Sequence, residues 1–209
     1  MMKSNPWFDY YAKKAKEEGY PARSIYKLAE IQRKYRIIEP GSHVLDLGSC
    51  PGGWLLFASR EVGKDGLVVG VDINPMDRPL PDNTRFIQGD ILTVSEEFLG
   101  EFNKEFDCIL SDMAPYTSGN KFVDTQRSIA LCTAACLLAS GHLRPKAPFV
   151  CKVFQGAGFE EFIKIARNLF EQVKLLKPQA TRKESREIYL IGFNKKRGGT
   201  CQVILNGAQ

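Results

Sequence analysis

"HVLDLGSCPGGW", residues 43–54, runs from an apolar strand into a glycine-rich loop and the opening turn of a helix. A strand that empties into such a loop is the first half of an α/β unit. The same grammar continues downstream. After the turn "GKDG", "LVVGVDI" reads as a second buried strand reaching Asp72. "TRFIQGD" is a third, ending in Asp90, and "FDCILSDMAP" a fourth, ending in Asp112 and halted by Pro115. A helix over about 122–140 leads to a fifth strand, "FVCKVFQG" (149–156). A helix over about 158–171 then precedes "VKLLKP" and "REIYLIGF", whose short connection predicts an antiparallel finish. Strands alternating with helices predict an α/β fold, a mainly parallel doubly wound sheet with an antiparallel C-terminal strand.

In open sheets of this kind ligands bind beyond the carboxyl ends of the strands. Here the first strand ends in Gly48 and its loop, and the next three end in Asp72, Asp90 and Asp112. Packing alone does not call for that recurrence. The loop "GSCPGG" departs from the dinucleotide fingerprint: Cys50 stands where a second glycine is needed, and Pro51 removes an amide donor, so pyrophosphate is disfavoured. Asp72 suits the two hydroxyls of a ribose, and Asp90 an exocyclic amine of adenine. S-adenosylmethionine has the adenosine without phosphates, and its cationic sulfonium fits an acidic pocket. A simpler reading stands beside this one: Asp72 capping a turn, and glycines that only allow tight helix–strand packing.

The 209 residues fit one domain, 1–209, opening with a basic helical stretch over 1–36 that breaks at "GYPAR". The six cysteines form no CxxC pair and sit mostly in apolar runs, which predicts reduced thiols. With only two histidines to add, no metal is expected. No apolar run approaches the roughly 20 residues that span a bilayer, and the N-terminus lacks the h-region of a signal peptide. A cytoplasmic, non-membrane protein is expected. The net charge of +5 is segregated: residues 1–36 hold nine Lys/Arg against four Asp/Glu, and residues 174–197 hold eight against two. The stretch between is net acidic, as for a polyanion gripped from both ends, although solvated helix faces give the same count.

Lys152 sits inside the apolar run "FVCKVFQG". On that stretch alone the economical reading is a stem lying on apolar surface with its ammonium in water. The alternative is a strand delivering an amine to a site at its carboxyl end.

The stretches "RSIYKLAEIQ", "VLDLGSCPGGW", "GVDINPM", "IQGDI", "SDMAPYTSG", "VCKVFQGAGF" and "SREIYLIG" resemble, in order and spacing, the FtsJ (RrmJ) family of ribose 2′-O-methyltransferases. The resemblance covers about residues 8–194 and is closest to the compact members acting on large-subunit ribosomal RNA. It implies a Rossmann-like class I methyltransferase fold, S-adenosylmethionine as cofactor with S-adenosylhomocysteine as product, and RNA as partner, with no obligate protein partner and a monomeric chain. It also implies a catalytic set of Lys27, Asp112, Lys152 and Glu187. Cofactor contacts fall on Gly48, Gly52, Gly53, Trp54, Asp72, Asp90 and Asp112. Ser49 and Cys50 replace other small residues of the family loop, and the tail 195–209 has no assigned role. Without that pattern, Lys27 and Glu187 read as a surface helix lysine and a solvated strand-end acid. Five tyrosines (10, 11, 20, 26 and 116) offer stacking surfaces for an unpaired base.

Three other readings compete. A methyltransferase of a base nitrogen or a protein side chain is disfavoured because "SDMAP" lacks the Asn/Asp-Pro-Pro-Tyr/Phe tetrad that holds an amine. A nicotinamide dehydrogenase is disfavoured by Cys50 and Pro51. A non-catalytic RNA-binding assembly factor would have no use for a buried lysine. Transfer RNA remains the alternative substrate.

Overall fold

The computed structural model describes residues 6–93, 105–199 and 201. In chain order the elements are α1 (Pro6–Glu17), α2 (Ile25–Tyr35), β1 (His43–Leu47), α3 (Gly53–Val62), β2 (Leu67–Asp72) and β3 (Thr84–Gln88). There follow β4 (Cys108–Ser111), α4 (Lys121–His142), β5 (Phe149–Phe154), α5 (Phe159–Leu169), β6 (Phe170–Leu176) and β7 (Glu187–Lys195). The seven strands form one sheet in the order β3-β2-β1-β4-β5-β7-β6. The first five are parallel, and β7 pairs antiparallel with both β5 and β6. The α/β architecture and its antiparallel finish are as the sequence predicts.

Successive residues of a strand face opposite sides of the sheet, and the core divides accordingly. Val44, Val68, Leu110, Val150, Tyr189 and Ile191 pack with Leu28 and Ile31 of α2 and Trp54 and Leu55 of α3. Leu45, Val69, Ile109, Phe149, Cys151 and Leu190 pack on the other side with Cys132 and Ala135 of α4 and Phe162 and Ala166 of α5. The inner strands are therefore mostly apolar on both faces, as a doubly wound sheet requires. The basic N-terminal stretch is not all surface: Ile25, Lys27, Leu28 and Ile31 of α2 are buried. Cys201, in the tail given no role, is buried in the α4–α5 core; residues 200 and 202–209 lie outside the described ones.

Two boundaries differ from the sequence reading. α5 stops at Leu169, not 171, and β6 begins at Phe170, not near Val173. Phe170 closes the helix by donating its N–H to Ala166 and is itself extended. Its ring, buried and stacked on Phe149 at 5.5 Å, holds it in the core. Beyond it β6 is an exposed edge with polar residues, where apolar periodicity is weak. At the other end of α4, Lys195 Nζ donates to the carbonyls of Ser140, at 2.7 Å, and Leu143, a cation placed on the negative helix terminus.

Candidate active site

The strand order reverses between β1 and β4, where an open sheet leaves a crevice at its carboxyl edge. Gly48 leaves β1 there with φ +76, and a Cβ on it would lie 2.7 Å from Met113 Cγ and 3.0 Å from the Met113 backbone. The glycine loop and the "SDMAP" segment are thus in contact. Gly52, at φ +99, lies under Met76 and Arg78. Asp72 Oδ2 accepts from the Cys50 amide at 2.9 Å, and its Oδ1 from the Asn74 backbone and side-chain nitrogens at 2.8 and 3.0 Å. Asp90 Oδ1 accepts from Leu92 N at 2.9 Å. Both carboxylates therefore cap turns at their own strand ends, and Asp72 also fixes the glycine loop. Burial first, then the negative charges of Asp72, Asp46 and Asp77, push the Cys50 thiol up to about 11, so it stays protonated at neutral pH.

Lys152 lies on the same sheet face as Val150, the face covered by α2 and α3. It is 7% exposed, which excludes an ammonium extended into water. Its Nζ is 3.0 Å from Asp112 Oδ1 and also donates to the Asp112 carbonyl. Register does the rest: in the antiparallel β5–β7 pair, Lys152 lies opposite Tyr189 and Phe154 opposite Glu187. Glu187 Oε1 meets Lys27 Nζ, arriving from α2, at 2.5 Å. The four residues form two ion pairs, Lys152–Asp112 and Lys27–Glu187.

Tyr189 joins them, and sequence reasoning missed it. It is fully buried, its hydroxyl donates to Asp112 Oδ1 at 2.6 Å, and Lys27 Nζ lies 5.8 Å from its ring centroid. Burial, with the Asp112 and Glu187 carboxylates, holds the phenol well above its usual range; it remains a donor. The signal available in sequence was its period-2 placement from Glu187. Trp54 supports the same group from outside. Its indole N–H donates to Ser24 O at 2.9 Å and its ring lies 5.7 Å from Tyr189, so it seats the start of α2. Gly53 packs against Ala22 and Ser24 at the same junction.

Asp46 is a second omission. It is wholly buried in β1, on the α2–α3 face opposite Gly70, and neither carboxyl oxygen has a hydrogen-bond partner; Ser49 Oγ is likewise buried and unpartnered. Burial, then the charges of Asp112 and Asp72, push the Asp46 carboxyl well above the usual range. A carboxyl in the apolar run "HVLDL" was the available signal.

A shallow cavity of about 600 Å³ lies at the opposite, amino edge of β2 and β3, lined by Ser59, Arg60, Lys64 and Asp82 among others. Its Asn83 is consumed by Ser59 and Gly63, and no catalytic pairing occurs there. Among the described residues no three His, Cys, Asp or Glu side chains gather as a metal site, and no helix is long and apolar enough to cross a membrane.

Residues 20–195 match the family model described as FtsJ-like methyltransferase. The chain belongs to the FtsJ-like methyltransferase family. It is 50% identical over 194 residues, 93% of this chain and 94% of the other, to "Ribosomal RNA large subunit methyltransferase E" of Desulfatibacillum aliphaticivorans. It is 49% identical over 192 residues, 90% of this chain and 88% of the other, to the protein of the same name from Acinetobacter baumannii. The crystal structure of a ribosomal RNA methyltransferase from Plasmodium falciparum superimposes with a TM-score of 0.75 at 29% identity, covering 84% of this chain and 98% of that one. In this FtsJ-like methyltransferase the glycine loop, Asp72 and Asp90 stand at the carboxyl ends of β1, β2 and β3, and the two ion pairs lie on the β4–β5–β7 side.

Proposed function

We propose that the protein methylates a ribose 2′-hydroxyl of RNA, with large-subunit ribosomal RNA as substrate and S-adenosylmethionine as donor, and that it acts as a monomer in the cytoplasm. The observation that carries the reading is the pair of buried Lys152 with half-buried Asp112 beside the switch point, coupled through Tyr189 to Lys27–Glu187. The relatives' names supply the ribosomal substrate.

The crevice suits the donor chemically. Its strand ends carry Asp72, Asp90 and Asp112, Gly48 and Gly52 let Met113 and Met76 approach the loop backbone closely, and the Asp46 carboxyl and the Ser49 hydroxyl stand behind the loop without partners. The Gly48–Trp54 loop, Asp72 and Asp90 would hold the cofactor, with Asp112 at its edge. When bound, it supplies the electrophilic methyl group.

What remains for the protein is orientation and one proton. A ribose hydroxyl is a weak nucleophile at neutral pH and needs a base, or a charge beside its developing alkoxide. Lys152 fills that role, because its amine is removed from bulk water and aimed by the Asp112 carboxylate and carbonyl. Tyr189 fixes that carboxylate, and Lys27 and Glu187 orient the ribose. The basic ends meet beside the site. Gln179 N donates to Glu30 Oε2 at 2.8 Å, joining the β6–β7 loop to α2. The Arg23 guanidinium is held below its ordinary value by burial and by the charge of Arg182. The excess of Lys and Arg in both segments favours an anionic partner such as the phosphate backbone.

The test incubates the protein with labelled S-adenosylmethionine and large ribosomal subunits, deproteinised ribosomal RNA or transfer RNA from cells lacking the enzyme. Label is expected in large-subunit RNA at a site that resists alkaline cleavage. Label on a base, or on protein only, overturns the ribose assignment.

A further inference from the structure

We infer that Tyr116, on the segment that leads to Phe122 at the start of α4, is a stacking platform for an unpaired base flanking the methylated ribose; the inference rests on the RNA reading above. The segment leaving Asp112 is tied down at its backbone. Arg127 Nη1 donates to Tyr116 O at 3.4 Å, and Ser118 donates both its N–H and its hydroxyl to Asp124 Oδ1 at 2.7 and 2.8 Å. Asn120 then caps α4, accepting from Phe122 N and Val123 N. Asp124 is itself buried, and those Ser118 bonds hold its carboxyl below the usual range.

On this fixed strap the side chains are bare. Tyr116 is 80% exposed and Phe122 63%, the two most exposed large apolar side chains among the described residues. A loop held by at least three side-chain bonds that nonetheless leaves its aromatics in water gains nothing from them in the folded chain; such patches mark contact surfaces. The other tyrosines differ. Tyr11 packs between Tyr10 and Tyr26, and Tyr20 is paired with Arg60 through its hydroxyl and its ring.

Position and charge select the partner. Tyr116 lies four positions after Asp112, a reach of at most about 14 Å, which suits a neighbour of the reacting nucleotide. Arg186, next to Glu187, donates to Lys121 O at 3.0 Å and Thr125 Oγ1 at 2.7 Å, so the base of the strap shares its rim with Arg186 and Lys121. An exposed ring on a segment that carries Arg127 at its carbonyl and leads to Arg186 at the start of α4 matches a base with its phosphates better than an apolar protein face.

Tyr116→Ala, Tyr116→Leu and Tyr116→Phe are compared on whichever RNA or subunit the wild type labels, by KM for that substrate and by its binding without cofactor. Stacking predicts a loss of roughly 5- to 150-fold in Tyr116→Ala, a similar loss in Tyr116→Leu and substantial recovery in Tyr116→Phe, with S-adenosylmethionine binding constant. Wild-type affinity in Tyr116→Ala overturns the inference. Full recovery by leucine also overturns it, in favour of an apolar protein contact. If the wild type labels no RNA, the parent reading fails, and this inference with it.

Discussion

Lys152 illustrates how far a single side chain can be read. Its place in an apolar strand was visible; that it faces α2 rather than water follows only from the parity of β5 against its neighbours. Lys152→Ala is expected to cut methylation at least roughly 100-fold while S-adenosylmethionine affinity, measured by calorimetry, changes little; sustained turnover would exclude a role for the amine. Tyr189→Phe removes the hydroxyl held 2.6 Å from Asp112. A hydrogen bond to a charged group contributes roughly 1.5–3 kcal/mol, so kcat should fall about 10- to 100-fold with KM for RNA nearly constant. A rise confined to KM would make Tyr189 a packing residue only. Asp46 makes a pH prediction. Its pKa is raised in the folded chain, so above the ordinary carboxylate value, near 4, the native state binds more protons than the unfolded one. Its contribution to stability then falls as pH rises. Asp46→Asn should gain on the wild type in thermal melts as pH goes from 5 to 8; a difference independent of pH would show that the carboxyl is not protonated there.

At the scale of elements, most of what positions the site is a matter of close approach. Gly48 is needed twice, for its positive φ and for the Met113 backbone against it. Gly48→Ala is expected to destabilise the fold by roughly 1–3 kcal/mol, read from urea unfolding, and to weaken cofactor binding as well. Trp54→Phe keeps the ring over Tyr189 but frees the Ser24 carbonyl that anchors α2. It should lower kcat/KM more than stability, because the helix it loosens carries Lys27. The alternation of strands and helices was legible from apolar runs and strand-end acids. The start of β6 was not, since Phe170 is its one fully buried residue and the residues after it are mostly exposed. Nor could spacing alone pair Lys27 with Glu187: that contact needs β7 to enter the sheet between β5 and β6, and in the sequence it was available only through the family resemblance.

For the molecule as a whole, the charge segregation noted in the sequence becomes geometry. Basic segments at opposite ends of the chain meet through the Glu30–Gln179 hydrogen bond, beside the ion-paired site. Arg23→Ala and Arg182→Ala should each reduce the salt-dependence slope of RNA binding by about 0.7 to 0.9, measured across a potassium chloride series; an unchanged slope would remove them from the phosphate track. The order of the strands carries one more consequence. The glycine loop, Asp72, Asp90 and Asp112 all precede α4, whereas Tyr189 and Glu187 belong to β7, which enters the sheet after every other strand has been made. During synthesis the glycine loop and its strand-end acids therefore emerge before the Glu187 partner of Lys27. On the proposed reading, a chain interrupted before β7 lacks Tyr189 and Glu187 and should not methylate RNA.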